Sequence, residues 1–216
     1  KEWGDTAPYR LLARTACRTA GISEATGSVG AGTGALSGGP GSGLKGGLGV
    51  ASTTVGGITI SAMIAVNALG SPVADSEGRF WAAAFERGDE FGGLGPSPHP
   101  DTSLAIKFRK ARAGANTTIG IIATDAVLTK GQAKRLAVTA HDGFARALWP
   151  AHTPLDGDAI FAIATCGSGV VPDLEMQIEL SAAASAVVAR AIARGVHDAT
   201  PAAGDIFPCW SSLRPA

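Results

Sequence analysis

Residues 114–124 read Gly-Ala-Asn-Thr-Thr-Ile-Gly-Ile-Ile-Ala-Thr: a small-residue turn and an asparagine run into two threonines and an apolar segment. Apolar and β-branched residues of this kind favour a strand, which we expect over Thr117–Thr124. Residues 152–158 read His-Thr-Pro-Leu-Asp-Gly-Asp and run into a second apolar segment. That segment predicts a strand over Asp158–Thr165. Hydroxyls therefore stand at the entry of one predicted strand, and carboxylates at the entry of the other.

Predicted helices alternate with the predicted strands. A capping box, Thr129-x-x-Gln132, indicates the start of a helix that continues to about Leu148. The other predicted elements are a strand over Ile58–Val66 and helices over Thr6–Ala20 and Leu174–Val196, the last with Ile178, Ala182, Ala186, Ala189 and Ala193 on one face. This order predicts an α/β or α+β fold, with helices over a sheet in one folded domain.

Glycine is concentrated between Gly27 and Gly49, which predicts a structured loop that passes close to another part of the chain. Residues 30–35 formally fit a dinucleotide-binding fingerprint, but no hydrophobic strand precedes them and Gly38–Gly43 cannot begin a helix. We therefore expect no nucleotide cofactor. Residues 75–115, rich in glycine, proline and charge, predict a surface excursion with a functional or processed role.

The composition is that of a globular domain without a charge bias. The 216 residues include 18 Lys and Arg against 18 Asp and Glu, so the formal net charge is zero. This balance gives no electrostatic argument for binding nucleic acid or an anionic membrane. With 45% hydrophobic and 17% charged residues, the composition excludes overall disorder.

Targeting and metal-binding signals are weak. The sequence has no apolar run of the roughly 18 residues that cross a bilayer, and its first five residues have no signal-peptide pattern. Because they also lack an initiator methionine, we expect that residue 1 is not the true N-terminus. Cys17, Cys166 and Cys209 are widely spaced and the histidines lack metal-ligand spacing, so we expect neither a disulfide framework nor a metal site, and a cytoplasmic location.

Asn116 and Thr117 form the first candidate reactive pair. A threonine hydroxyl can attack the carbonyl of the residue before it when a turn strains that peptide bond and a donor stabilises the oxyanion. Hydrolysis of the resulting ester leaves a free α-amine, whose ordinary pKa of about 7.7–8 suits it as the general base for its own hydroxyl. Asn-Thr is equally a common exit from a turn.

Asp156 and Asp158 form the second candidate. Side chains two residues apart on an extended backbone face the same way, so the two carboxylates would project together. Such a pair can hold the Thr117 ammonium and orient its hydroxyl. A solvated loop or a calcium site is the alternative for this motif alone.

Three further residues are candidates with simple alternatives. The Asn67 amide, at the end of a predicted strand, can donate to an oxyanion or cap a turn. Lys45 lies within a glycine run and can neutralise a carboxylate or remain a solvated loop lysine. Among the four histidines, His152 is the one that we expect to line a site, because it precedes the aspartate pair.

Taken in order, five segments resemble the family of self-processing aminopeptidases that includes D-stereospecific aminopeptidase/esterases, β-peptidyl aminopeptidases and nylon-oligomer hydrolases. The segments are residues 29–35, 45–49, 65–67, 116–118 with 123–126, and 152–153 with 156–158. The similarity extends from about Tyr9 to about Ala193. Five motifs in register are much more specific than any one of them.

The resemblance implies an αββα sandwich of the N-terminal-nucleophile type, related to ornithine acetyltransferase. It implies cleavage between Asn116 and Thr117, so that residues 1–116 form the C-terminal part of an α-chain and residues 117–216 a β-chain. By position, Thr117 would be the nucleophile and Asn67 the oxyanion or amine partner. The orienting acids would be Asp156 and Asp158, and the supporting residues Lys45, Thr118 and His152.

A threonine nucleophile with Asp-Gly-Asp is similar to the nylon-hydrolase branch, whereas the aminopeptidase branch uses serine. Two departures from the family pattern accompany the resemblance. A second lysine that the family has shortly after residues 32–35 is replaced here by Ser37-Gly38-Gly39, which changes the charge expected at the site. Family members also carry a further N-terminal region that lines the substrate pocket, and we expect this chain to lack it.

The expected activity is that of an autoprocessing N-terminal-threonine hydrolase, without cofactor, that cleaves amide bonds of short peptides or amino-acid amides. The alternatives are an acyltransferase of the ornithine-acetyltransferase type, a nylon-oligomer (6-aminohexanoate) hydrolase and a non-enzymatic domain. The expected partners are the substrate, the protein's own N-terminal segment and further copies in a tetramer or larger homo-oligomer, with no nucleic acid and no membrane.

Overall fold

A computed structural model describes residues 7–41, 43–103 and 116–213. The strands are β1 (Leu36–Ser37), β2 (Leu44–Lys45), β3 (Gly47–Val55), β4 (Ile58–Val66), β5 (Ile119–Thr124) and β6 (Ala159–Ala164), of which β1 and β2 form a separate small sheet. The main sheet has the order β3-β4-β5-β6, with β3 to β5 antiparallel and β6 parallel to β5. The α-helices are α1 (Tyr9–Arg18), α2 (Lys130–Ala140), α3 (Asp142–Ala147) and α4 (Leu174–His197).

The predicted elements are confirmed, with two differences. The helix expected from Thr129 begins with the predicted capping box but divides at His141 into α2 and α3. β3 was not predicted, because its glycines weaken the strand pattern. The signal that could have identified it is the two-residue Gly56-Gly57 turn, which joins β3 to β4 as a hairpin with Val55 paired to Ile58.

Alternation along the strands gives the sheet two different faces. Every second residue of β4, from Ile58 to Val66, is buried on the face that α4 covers, while α2 packs on β5 and β6. The opposite face exposes large apolar side chains at Met63, Ile119, Ile121, Phe161 and Ile163. One layer of helices on one sheet is half of the expected sandwich, and the exposed face is where a second sheet packs in such a fold.

The glycine-dense segment makes the close approach that the sequence predicted. A Cβ added to Gly47 would lie 1.9 Å from the Gly195 carbonyl oxygen, and a Cβ added to Gly49 would lie 1.8 Å from the Ala191 carbonyl oxygen. β3 therefore lies almost directly on the backbone of α4. The predicted buried face of α4 is wrong at its N-terminal end, where Ile178 is exposed, because Leu180, rather than Ile178, faces the core.

The predicted surface excursion over residues 75–115 is wrong for its first part. Phe80, Ala82 and Phe91 are buried in the main core, and residues Trp81–Phe85 form a 3₁₀ turn. Arg190 of α4 binds the Glu90 carboxylate through two nitrogens and the Ser52 carbonyl, which fastens this segment to the core. Residues 104–115 lie outside the described residues.

α4 is, among the described residues, the one helix that is long and apolar enough to cross a membrane by length and composition. More than half of its most apolar window is buried within the molecule. Since it also packs along β3 and β4, we interpret it as the core helix of the domain.

Candidate active site

Three chain segments meet at one edge of the main sheet. Asn67 follows the end of β4, Thr117 precedes β5, and Asp156 precedes β6. Because β5 is antiparallel to β4 and parallel to β6, the end of β4 lies beside the starts of β5 and β6. Hydrogen bonds join them: the Thr117 amide donates to the Asn67 carbonyl at 2.8 Å, and the Gly157 amide donates to the Asn116 carbonyl at 3.1 Å. The topology therefore brings the predicted site residues of these three segments together.

The Thr117 hydroxyl lies against the peptide bond that precedes it. Its Oγ1 donates to the Asn116 carbonyl oxygen at 2.6 Å, and Thr117 is half-buried. The same carbonyl oxygen accepts from the Gly157 amide. A hydroxyl beside a carbonyl that already binds a backbone N–H is an arrangement suited to acyl transfer.

Thr118 links the other two segments to the start of β5. It is fully buried, its hydroxyl accepts from the Asn67 amide at 3.2 Å, and its own amide donates to Asp158 Oδ1 at 2.9 Å. Thr118 therefore lies between Asn67 and Asp158, and its predicted supporting role stays a prediction.

The two carboxylates lie at the same edge but have different hydrogen-bond partners. Asp158 binds the Thr118 amide with one oxygen and the His152 ring with the other. Asp156 Oδ1 accepts from the Leu69 amide at 3.1 Å, and its Oδ2 accepts from the amide and hydroxyl of Thr153. Asp158 is therefore bonded to Thr118, the residue after Thr117, whereas Asp156 connects two loops beside the site.

Asn67 contacts Thr117 through its backbone and has an oriented side chain. Its Oδ1 accepts from the Leu36 amide at 3.0 Å, which turns the side-chain NH₂ to the opposite side. Its carbonyl accepts the Thr117 amide. The side-chain role predicted for it stays a prediction.

Lys45 lies beside this group with its ammonium bound elsewhere. The residue is buried, and its Nζ donates to the Thr200 carbonyl at 2.9 Å and to Asp205 Oδ2 at 2.7 Å. The hydrogen bond from Lys45 lowers the pKa of the Asp205 carboxyl from its ordinary value. Within the described part of the chain, no hydrogen bond joins Lys45 to Thr117, and sequence analysis gave no sign of Asp205.

His152 is bonded to Asp158 and lies beside a second histidine, His141. The predicted place of His152 in the lining of a site stays a prediction. Its Nδ1 lies 2.8 Å from Asp158 Oδ2, and its Nε2 lies 3.3 Å from His141 Nδ1. The rings of both histidines stack on Phe144. Sequence reasoning missed His141 because it belongs to the helical segment and precedes His152 by 11 residues.

Comparisons with known proteins identify the family of the chain. The sequence model of peptidase family S58 matches residues 6–206. An uncharacterized aminopeptidase of Mycobacterium tuberculosis (strain ATCC 25618 / H37Rv) is 40% identical over 216 residues, which cover 90% of this chain and 60% of the relative. The chain thus spans about 60% of the length of this curated relative.

Two solved structures share the fold. The L-aminopeptidase D-Ala-esterase/amidase from Ochrobactrum anthropi, described as a prototype for the serine aminopeptidases with a new variant of the Ntn hydrolase fold, is 25% identical with a TM-score of 0.56, over 85% of this chain and 47% of that one. A Burkholderia sp. beta-aminopeptidase, 24% identical with a TM-score of 0.55 over 88% and 52%, supports the fold alone. They confirm the α+β sandwich of the N-terminal-nucleophile type.

Proposed function

This chain belongs to peptidase family S58, and from this premise we propose that its protein is an autoprocessing N-terminal-threonine hydrolase. The observation that carries the proposal is the 2.6 Å hydrogen bond between Thr117 Oγ1 and the carbonyl oxygen of Asn116. The hydroxyl lies beside the peptide bond that self-cleavage would break, and this supports the role that the family resemblance implies for Thr117.

Self-cleavage starts when Thr117 Oγ1 attacks the Asn116 carbonyl carbon. The new C–O bond replaces the C–N bond, and the hydroxyl proton passes to the departing nitrogen. Negative charge develops on the Asn116 carbonyl oxygen, to which the Gly157 amide already donates. Water then hydrolyses the ester, which restores the hydroxyl and leaves Thr117 with a free amine.

The freed amine then serves as the general base for each later turnover. It takes the proton from its own hydroxyl while Oγ1 attacks the substrate carbonyl, and it returns that proton to the leaving amine. Asp158, bonded to the next residue through the Thr118 amide, supplies the negative charge that favours the ammonium form between these steps. Water completes the cycle by hydrolysing the acyl-enzyme.

The proposed substrates are amides of short peptides or of single amino acids. The family is named as a peptidase family, the mycobacterial relative as an aminopeptidase, and the Ochrobactrum protein as an aminopeptidase, esterase and amidase. The half-buried Thr117 hydroxyl lies where the starts of β5 and β6 meet the end of β4, a position that a small acyl group can reach.

The test compares variants of the whole gene product. The unmodified protein should separate under denaturing conditions into pieces divided at Asn116/Thr117 and release p-nitroaniline from at least one member of a panel of amino-acid p-nitroanilides. Thr117→Ala should remain intact and inactive, whereas Thr54→Ala, which alters an exposed threonine of β3, should behave as the parent. Cleavage of the Thr117→Ala protein at the same bond would refute the proposal.

A further inference from the structure

His152 adopts a backbone conformation that residues with side chains rarely adopt. Its φ is +52°, in the left-handed region, and among the described non-glycine residues only Cys166 shares this feature. Such strain persists where the surrounding contacts over-determine it, and it often marks a functional position. The contacts of the His152 ring show which groups keep it in this conformation.

The ring of His152 is fixed on three sides. Nδ1 contacts Asp158 Oδ2 at 2.8 Å, Nε2 contacts His141 Nδ1 at 3.3 Å, and the ring stacks on Phe144 with a centroid distance of 5.0 Å. One assignment of protons satisfies both nitrogens: each histidine carries its proton on Nδ1, so that His141 donates to His152 and His152 donates to Asp158.

Asp158 connects His152 to the segment that contains Thr117 and Thr118. Its carboxylate is almost fully buried, at 5% exposure, whereas the His152 side chain is 39% exposed. Of its two oxygens, one accepts from the Thr118 amide and the other faces His152. Among the described residues, the His152 imidazole is the side chain that hydrogen-bonds this carboxylate, and it fixes the rotation of the carboxylate relative to Thr118.

We propose that His152, supported by His141, is a positioning residue of the hydrolase: it holds the Asp158 carboxylate in the orientation that aligns the Thr117 segment for self-cleavage and turnover. This inference rests on the proposed function and extends it to the outer side of the site. His152 touches no reacting atom and acts through Asp158.

The electrostatics of His141 agree with this assignment. Burial lowers the pKa of His141 from its ordinary value, and a protonated His152 would lower it further, against the raising effect of Asp158 and Asp142. A neutral His141 keeps one nitrogen as donor and one as acceptor, which is what the chain of hydrogen bonds requires.

The test measures the rate at which the whole gene product, made by cell-free synthesis, releases the fragment that begins at Thr117. His152→Gly accepts the left-handed backbone but has no donor, and should process about tenfold to a hundredfold more slowly, the factor that corresponds to one lost hydrogen bond to a charged group. His152→Asn also tolerates this backbone, and its side-chain NH₂ can replace Nδ1–H, so it should keep most of the rate. His99→Ala, an exposed loop histidine, is the control and should not change the rate.

His141→Phe keeps the stack on Phe144 but removes the donor to His152, and we expect it to slow processing less than His152→Gly does. Equal rates in the parent and in a folded His152→Gly protein would overturn the inference, as would equal slowing by the Gly and Asn variants. If His152→Gly does not fold, a normal rate in His141→Phe together with slow processing in His152→Asn overturns it.

The same assay separates this inference from the proposed function. A parent protein that is never cleaved, or a Thr117→Ala protein that is cleaved, refutes the hydrolase proposal and the inference with it. The inference alone is refuted if the parent is cleaved, the Thr117→Ala protein is not cleaved, and His152→Gly is cleaved at the parent's rate.

Discussion

At the scale of single residues, the space around the Thr117 hydroxyl depends on a missing side chain. Gly157 donates its amide to the Asn116 carbonyl, and a Cβ added to it would lie 2.8 Å from Thr117 Oγ1. Its φ lies outside the positive range, so alanine can adopt the same backbone. A methyl group at this position would meet only the end of the threonine side chain, which would have to rotate.

We therefore expect Gly157→Ala to leave the protein folded while moving the hydroxyl away from its reactive position. Processing at Asn116/Thr117 should slow by about tenfold or more, because acyl transfer needs the reacting atoms aligned. Mass spectrometry over time after synthesis measures this rate. Gly167→Ala, whose Cβ would make an ordinary contact at 3.5 Å, is the control; equal rates in the two variants would show that the contact is unimportant.

At the scale of elements, α4 is the helix on which two other parts of the chain pack. Strand β3 approaches the backbone of α4, and residues 75–103 are bound to α4 through an ion pair. The first contact needs glycine at Gly47 and Gly49 of the strand and small residues at Ala191 and Gly195 of the helix. The second contact is the ion pair between Glu90 and Arg190. Each of these contacts gives a prediction.

Gly49→Ala should destabilise the protein strongly. Its Cβ would lie 1.8 Å from the Ala191 carbonyl oxygen, so the strand and helix must separate, and we expect a loss of about 3 kcal/mol or more in the free energy of unfolding. Urea unfolding of the whole gene product measures it. Gly131→Ala, in α2 with no atom near the added Cβ, should instead gain up to about 1 kcal/mol; similar values for both would contradict the close packing.

Glu90→Gln should lower the free energy of unfolding, and this loss should be largest at neutral pH. Burial alone would raise the pKa of Glu90, but the hydrogen bonds and charge of Arg190 outweigh it and lower the pKa below the ordinary 4.5. The ion pair therefore contributes fully above pH 4.5, and its contribution is lost as the pH falls through the lower folded-state pKa. We expect a difference from the parent of about 3 kcal/mol at pH 7 that shrinks in acid. Urea titrations at several pH values measure it, and a difference independent of pH would contradict this account.

At the scale of the whole molecule, the sheet is covered on one face and open on the other. Met63, Ile121, Phe161 and Ile163 form an exposed apolar surface on the face opposite α4. A patch of this kind on a sheet is normally an interface. The sandwich fold implies that a second sheet covers it in the assembled protein.

Introducing a charge at two exposed apolar positions should therefore change the melting temperature by different amounts. Phe161, 62% exposed on the open sheet face, should be buried in the whole gene product, so Phe161→Asp should lower its melting temperature by about 5 °C or more. Val171, 71% exposed in a loop, should tolerate Val171→Asp. Differential scanning fluorimetry compares them, and equal melting temperatures would show that the sheet face stays open.

The parts of this structure that sequence predicted are those encoded by local patterns. The capping box at Thr129 and the polar entries of β5 and β6 depend on neighbouring residues, and the motif order indicated that Asn67, Thr117 and Asp158 belong together. The pairs that sequence missed join distant segments, as Lys45 with Asp205 and Arg190 with Glu90. No local period marks such partners, because segments far apart in the sequence come into contact only when the chain folds.

The most direct measurement of the central claim is the N-terminal sequence of each polypeptide in the purified whole gene product, combined with its mass. We predict a fragment that begins Thr-Thr-Ile-Gly-Ile, starting at Thr117, and a partner that ends at Asn116. A single polypeptide still continuous through Asn116 and Thr117 in catalytically active material would contradict the account.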